Sequence, residues 1–150
     1  MDDHLIASTN LIGAISSLIY FLCIIAVFGF RIAGQIKVSR WIGLASTLVV
    51  VPLIYLLILA FRTDPPSIYY FWVGLAIVFI TSELLIDYVF NIEFRALKWA
   101  TIVYVIIFFA ATGGMIGIAG QAGKWWTVSA ASTFLIMGML AFIQRNRTGL

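Results

Sequence analysis

Long apolar runs separated by short polar segments dominate this chain. Five runs are almost free of charged residues and cover residues 5–30, 41–61, 67–90, 99–123 and 125–144. A helix needs about 20 apolar residues to cross a hydrocarbon core about 30 Å thick. None of the runs alternates with the two-residue period of a membrane-spanning β-strand. The pattern therefore predicts an all-α fold, a compact bundle of five transmembrane helices that forms a single membrane domain over residues 1–150.

The composition agrees with this assignment. Of the 150 residues, 63% are hydrophobic and only 10% are charged. A soluble domain carries about 25% charged residues, so these side chains are too few to cover the surface of a globule in water. The composition argues against an ordinary soluble enzyme, a disordered protein and a nucleic-acid binder. We therefore expect the lipid bilayer as the main partner and no nucleic acid.

The positions of the basic residues predict an orientation. Seven of them follow the first, third and fifth runs: Arg31, Lys37, Arg40, Arg95, Lys98, Arg145 and Arg147. Only Arg62 and Lys124 follow the other two runs. Cytoplasmic loops carry an excess of Lys and Arg, so the N-terminus is predicted outside and the C-terminus inside. The acidic start at residues 1–4 lacks the basic region of a signal peptide, so the first run is expected to stay as a span in a prokaryotic plasma membrane.

Two acidic residues interrupt the third run. Glu83 and Asp87 are four residues apart, so both project from one face of a helix. At 1.5 Å per residue, Glu83 lies roughly 10 Å inside the boundary near Phe90. A carboxylate in hydrocarbon costs about 3 kcal/mol on insertion scales, so a protonated acid, an ion pair or a wet cavity is required. No Lys or Arg lies inside any of the five runs, which disfavours a buried ion pair.

Two interpretations of Glu83 remain open. In the functional one, Glu83 is the centre of a site for a small molecule or ion, together with other polar side chains of the second and third runs: Asp87, Thr81, Ser82 and Tyr55. In the structural one, a protonated Glu83 forms a hydrogen bond with a Ser, Thr or Tyr of a neighbouring helix. For Asp87 alone, we favour an ion pair at the membrane boundary with Arg95 or Lys98.

Prolines and glycines predict how the helices bend and pack. Pro52 leaves the carbonyl of Leu48 without a donor and kinks the second helix. The kink either is stabilised by packing, which we favour, or opens a cavity lined by Ser46, Thr47 and Tyr55. Gly113 and Gly117 form a GxxxG pair and predict a close helix–helix contact. The partner helix belongs to this chain, to a second copy in a homo-oligomer or to a larger membrane complex.

The chain offers little catalytic chemistry. Cys23 is the one cysteine and His4 the one histidine, which leaves no intramolecular disulfide and no cysteine- or histidine-rich metal site. No nucleophile–base pair or phosphate-binding loop is recognisable, so we expect no catalytic residue, cofactor or metal. The leading hypothesis is a membrane protein that binds or translocates a small solute, proton or cation at Glu83. The alternative is a non-catalytic accessory or assembly subunit of a larger membrane complex.

Overall fold

In a computed structural model, which describes residues 3–90 and 98–148, the regular structure of these residues is entirely helical. Six α-helices follow one another: α1 (Asp3–Ile32), α2 (Ile36–Ser46), α3 (Val50–Thr63), α4 (Ser67–Glu83), α5 (Lys98–Gly120) and α6 (Lys124–Thr148). A 3₁₀ turn (Thr47–Val49) joins α2 to α3, and a π-helix (Leu84–Val89) extends α4. The fold is therefore all-α, as predicted.

Five helical segments are long and apolar enough to cross a membrane. They are His4–Ile32, Ile36–Thr63, Ser67–Val89, Trp99–Gly120 and Lys124–Arg147, which confirms the number of predicted runs. The second segment starts at Ile36 and not at Trp41. Lys37 and Arg40 lie between two apolar runs in the sequence but fall in the first turns of this helix, because Lys and Arg are good helix formers.

Tight turns of three residues reverse the chain at 33–35, 64–66 and 121–123. Gly34 has φ 78° and Gly123 has φ 123°, conformations that side chains with a Cβ rarely adopt. Asp64 ends α3 in the left-handed region with φ 44°. These turns join α1 to α2, α3 to α4 and α5 to α6, and α1 contacts α2, α3, α5 and α6. Helix α1 is therefore the centre of the bundle.

One end of the bundle collects the start of α1 and two of the turns. Ile6 and Asn10 of α1 line a common cavity with Pro65 and Gln121. We call this the N-terminal end, and Arg62 and Lys124 lie beside its turns. The arrangement is the up-and-down one that the alternating positions of the basic residues imply.

The other end, which we call the basic end, holds the turn between α1 and α2. Arg31 at the end of α1 donates from Nε to the hydroxyl of Ser39 in α2 at 3.1 Å. The π-helix reaches the same end, because its Tyr88 contacts Gly43 of α2. Three of the predicted inner cations therefore belong to this end, namely Arg31, Lys37 and Arg40, and its cytoplasmic location stays a prediction.

The second span changes its helix type near Pro52, and the kink expected there stays a prediction. The 3₁₀ turn (Thr47–Val49) lies one turn before Pro52 and contains Leu48, whose carbonyl Pro52 leaves without a donor. Ser46 and Thr47 each donate a hydroxyl hydrogen bond of 2.7 Å to a backbone carbonyl three residues earlier. These hydroxyls therefore bind their own helix, and neither lines the cavities found at the N-terminal end.

The glycines of α5 differ in their surroundings. A Cβ at Gly117 would lie 2.8 Å from ring atoms of Trp72 in α4, and one at Gly114 would lie 3.2 Å from the same side chain. A Cβ at Gly113 would meet nothing within 4 Å. Within the chain, Trp72 thus packs on Gly114 and Gly117, three residues apart, and not on a Gly113–Gly117 pair. A contact of Gly113 with a second chain stays a prediction.

Candidate functional site around Glu83

Three helices meet at the carboxylate of Glu83, the last residue of α4. The hydroxyl of Tyr20 in α1 donates to Oε2 at 2.9 Å. The hydroxyl of Tyr104 in α5 donates to Oε1 at 2.5 Å. We call Tyr20, Glu83 and Tyr104 the Glu83 cluster. Each carboxylate oxygen therefore accepts a hydrogen bond from a different helix.

Tyr20 is fixed by burial. Its side chain is fully buried (0% exposed) in the core around α1. In the described part of the chain, Glu83 is the one hydrogen-bond partner of its hydroxyl. A buried hydroxyl without a partner costs about 1–3 kcal/mol, so Glu83 stabilises the position of Tyr20 as much as Tyr20 stabilises that of Glu83.

Tyr104 is fixed by aromatic packing. Its ring centroid lies 5.6 Å from that of Phe79, which precedes Glu83 by one helical turn on α4. The ring also stacks on Phe108 of α5, with a centroid distance of 6.5 Å and an interplanar angle of 18°. Tilted and offset ring pairs at these distances are favourable. The packing of α4 on α5 therefore places the Tyr104 hydroxyl next to the carboxylate of Glu83.

A π-helix begins directly after Glu83. Its hydrogen bonds join residues five apart, such as the 2.8 Å bond from the Phe90 N–H to the Leu85 carbonyl. The inserted residue changes the direction of the side chains that follow, and short π-helices occur often at functional sites. Tyr88 fits against α2 here, because a Cβ at Gly43 would overlap its hydroxyl oxygen.

The predicted neighbours of Glu83 divide into two groups. Thr81 and Ser82 are partly buried beside it on α4, but the Ser82 hydroxyl donates to the Val78 carbonyl of its own helix at 2.7 Å. Tyr55 is 49% exposed on α3 and forms no hydrogen bond with Glu83. Tyr55 is therefore not brought into the cluster.

Asp87 lies on the π-helix and is partly buried. Its carboxylate is an electrostatic neighbour of the Tyr88 ring, together with Glu83, Arg31 and Arg40. The predicted ion pair cannot be placed, because Arg95 lies outside the described residues and so does the side chain of Lys98. Asp87 belongs to the basic end more than to the Glu83 cluster.

Tyr20 and Tyr104 were not singled out by their sequence positions. They belong to a larger group of hydroxyl-bearing residues spread over the helices, and they lie 63 and 21 residues from Glu83. The sequence offered one indication of such partners: a carboxyl group inside a membrane helix needs hydrogen-bond donors on neighbouring helices. That need indicates a hydroxyl but does not identify which one.

Two cavities open at the N-terminal end. One of about 350 Å³ is lined by Ile6, Ala7, Asn10, Gln121 and Ala122. The second, of about 120 Å³, shares part of this lining and extends to Tyr69, whose buried hydroxyl has no partner among the described residues. Glu83 lines neither of these cavities, since it lies near the opposite end of α4.

Within residues 3–90 and 98–148, no group of three or more His, Cys, Asp or Glu side chains is arranged to hold a metal ion. The Glu83 cluster instead brings together one carboxylate and two tyrosine hydroxyls from three helices. Comparison of the chain with protein-family models, with curated proteins and with solved structures gives no match.

Proposed function

We propose that this chain is a small membrane protein that binds or translocates a small solute, proton or cation at the Glu83 cluster, with a proton as its best-supported occupant. The observation that carries the proposal is the carboxylate of Glu83, held by hydroxyls of Tyr20 and Tyr104 from two other helices. Acidic residues inside membrane helices face the bundle interior and mark proton or ion sites by default.

The chemistry of the three groups suits proton exchange. A tyrosine hydroxyl both donates and accepts, and a protonated carboxyl group gains a donor that the carboxylate lacks. Protonation of Glu83 therefore reverses the direction of one hydrogen bond without requiring the heavy atoms to separate. Tyr20 lies on α1 and Tyr104 lies on α5, so protonation of Glu83 alters the hydrogen bonds of α4 with both neighbouring helices.

The test is infrared difference spectroscopy of the protein in liposomes during a pH titration. We expect a protonated carboxyl band that rises on acidification and is lost in Glu83→Gln, since glutamine keeps the size but does not titrate. Tyr20→Phe and Tyr104→Phe should shift this band, because each removes one donor. Tyr55→Phe is the matched control and should leave it unchanged, since Tyr55 lies outside the cluster.

Translocation is tested in the same liposomes with an enclosed pH-sensitive dye. We expect Glu83→Gln to lower the rate at which a pH gradient decays, with Na⁺ and K⁺ gradients included to detect cation coupling. A Glu83 band that does not change with pH, together with equal rates for wild type and Glu83→Gln, would reject the proposal and leave Glu83 a structural residue.

A second candidate function is an accessory or assembly subunit of a larger membrane complex. It is favoured by α6, which packs against α1 and α5 but leaves most of its apolar surface uncovered. Only 11% of the apolar stretch of α6 is buried, compared with 39% for that of α1. Under this alternative, Glu83→Gln folds and functions normally, whereas substitutions on the exposed face of α6 abolish assembly.

A further inference from the structure

Arg31 is held in a defined orientation at the basic end of the bundle. Its Nε donates to the hydroxyl of Ser39 at 3.1 Å, and Ser39 is only 1% exposed. Within the described part of the chain, Ser39 is its one hydrogen-bond acceptor. Arginine carries five N–H donors in a planar fork, so the two terminal nitrogens remain for an external acceptor. The Arg31 side chain is partly exposed, which leaves them accessible.

Further positive charges follow Arg31 across the turn. Gly34, with φ 78°, reverses the chain, and α2 then carries Lys37 and Arg40. Residues three apart share one face of a helix, and both side chains are exposed. Asp87 of the π-helix supplies a negative charge on the same side, near Tyr88. Glu83 is a second acid among the charges that act on Tyr88. Among the described residues, the three cations still exceed these two acids, so the turn attracts anions.

Two large apolar side chains of α2 are exposed next to these cations in the sequence. Ile36, the first residue of α2, is 70% exposed, and Trp41 is 72% exposed. Tryptophan is enriched where membrane helices meet the headgroup region. Both side chains belong to a candidate membrane span, and a phospholipid joins acyl chains for them to a phosphate that Arg31 can bind. The combination therefore selects a lipid and not a soluble anion.

We propose that the turn between α1 and α2 binds the phosphate of an anionic phospholipid, with Arg31 as the central ligand and Ser39 as the residue that positions it. Lys37 adds charge, and Ile36 and Trp41 contact the acyl chains. Guanidinium groups bind phosphate oxygens through two parallel hydrogen bonds. This site is separate from the Glu83 cluster and does not depend on the function proposed for it.

The test is native mass spectrometry of the purified full chain in detergent, titrated with phosphatidylglycerol or with phosphatidylcholine of the same acyl chains. We expect a clear preference for phosphatidylglycerol. Arg31→Gln should weaken its binding about five- to tenfold, since one basic residue near the membrane surface contributes about that much. Ser39→Ala should weaken it less, and Arg31→Lys should keep the charge but lose the fork geometry.

Arg62→Gln is the matched control, because Arg62 is also exposed but lies at the N-terminal end. It should bind phosphatidylglycerol as the wild type does. Equal losses in Arg31→Gln and Arg62→Gln would overturn the proposal in favour of general surface charge. Unchanged binding in Arg31→Lys and Ser39→Ala together would overturn the fixed-fork geometry, and it would do so even if Arg31→Gln failed to fold. Competition by inorganic phosphate at equal concentration would show a free-anion site instead.

Discussion

At the scale of single residues, the polar groups of this protein are fitted to one another across helices. Glu83 sits in an apolar helix, and the hydroxyls that it needs come from Tyr20 and Tyr104. A few residues further on, Tyr88 projects its hydroxyl onto α2, where Gly43 leaves room for it. The contact between Tyr88 and α2 thus requires a residue without a side chain at position 43.

Gly43→Ala is expected to lower the free energy of unfolding by about 1–3 kcal/mol, the usual cost of overpacking. In a Tyr88→Phe background the loss should largely disappear. The clash is with the hydroxyl oxygen, and the next ring atom would lie 3.4 Å from the new Cβ, an ordinary contact. Unfolding of the purified protein in detergent, followed by tryptophan fluorescence, measures both effects.

Gly29→Ala is the control for this pair, because a Cβ at Gly29 meets nothing within 4 Å. It should leave stability unchanged or slightly raised, since alanine is the better helix former. An equal loss from Gly43→Ala with and without the Tyr88 hydroxyl would contradict the contact between the π-helix and α2.

At the scale of elements, two irregular segments interrupt otherwise regular helices, and they differ in origin. The 3₁₀ turn (Thr47–Val49) has a local cause, because Pro52 removes a hydrogen bond from the helix. The π-helix (Leu84–Val89) contains no proline or glycine. It occurs where Tyr88 must reach Gly43 while Glu83 stays between two tyrosines, so contacts with other helices account for it. Only the first interruption could be predicted from residues nearby in the chain.

The packing of α4 on α5 yields a prediction with an internal control. Gly117→Ala should destabilise the protein by about 1–3 kcal/mol, because its Cβ would press on the ring of Trp72. Gly113→Ala should be neutral or slightly stabilising within the monomer, since the space above Gly113 is open. Thermal unfolding in detergent compares the two variants, and size-exclusion chromatography reports their oligomeric state.

The two glycine variants also test the wider packing. Equal stability of both variants would show that Trp72 does not rest on Gly117. A loss of oligomers in Gly113→Ala alone would place Gly113 at a contact with a second copy of the chain, as the GxxxG spacing predicts.

At the scale of the whole molecule, the chain runs up and down, and its basic residues are distributed unequally between the two ends. Arg31, Lys37 and Arg40 lie at the basic end, and Arg62 and Lys124 flank turns at the N-terminal end. The excess of Lys and Arg predicts that the basic end faces the cytoplasm. The same end carries the proposed lipid site, so the predicted orientation places that site at the cytoplasmic leaflet.

Labelling of single cysteines tests this orientation. In a Cys23→Ala background, Gln121→Cys at the N-terminal end should react with a membrane-impermeant maleimide in intact cells. Gln35→Cys at the basic end should react only after the membrane is made permeable. Both positions lie in turns and are exposed, so accessibility differs only through the membrane. The reverse pattern of labelling would place the N-terminus in the cytoplasm.

The amino-acid sequence by itself determined the elements of this protein. Apolar length and the charges at the ends of each run are local properties, and they were sufficient for the five candidate spans and the all-α class. Pro52 marked the place where the second span departs from a regular α-helix. The sequence also identified Glu83 as the residue of an apolar helix that needs polar partners from other helices.

Only the tertiary structure decided which residues meet. In the structure, Tyr20 and Tyr104 donate hydrogen bonds to Glu83, whereas Tyr55 does not. Trp72 packs on Gly117. The physical reason is that these helices are apolar on nearly all sides, so no polar face reveals which side turns inward. The rotation of each helix about its axis is set by packing against its neighbours, and that rotation determines every contact between residues distant in the chain.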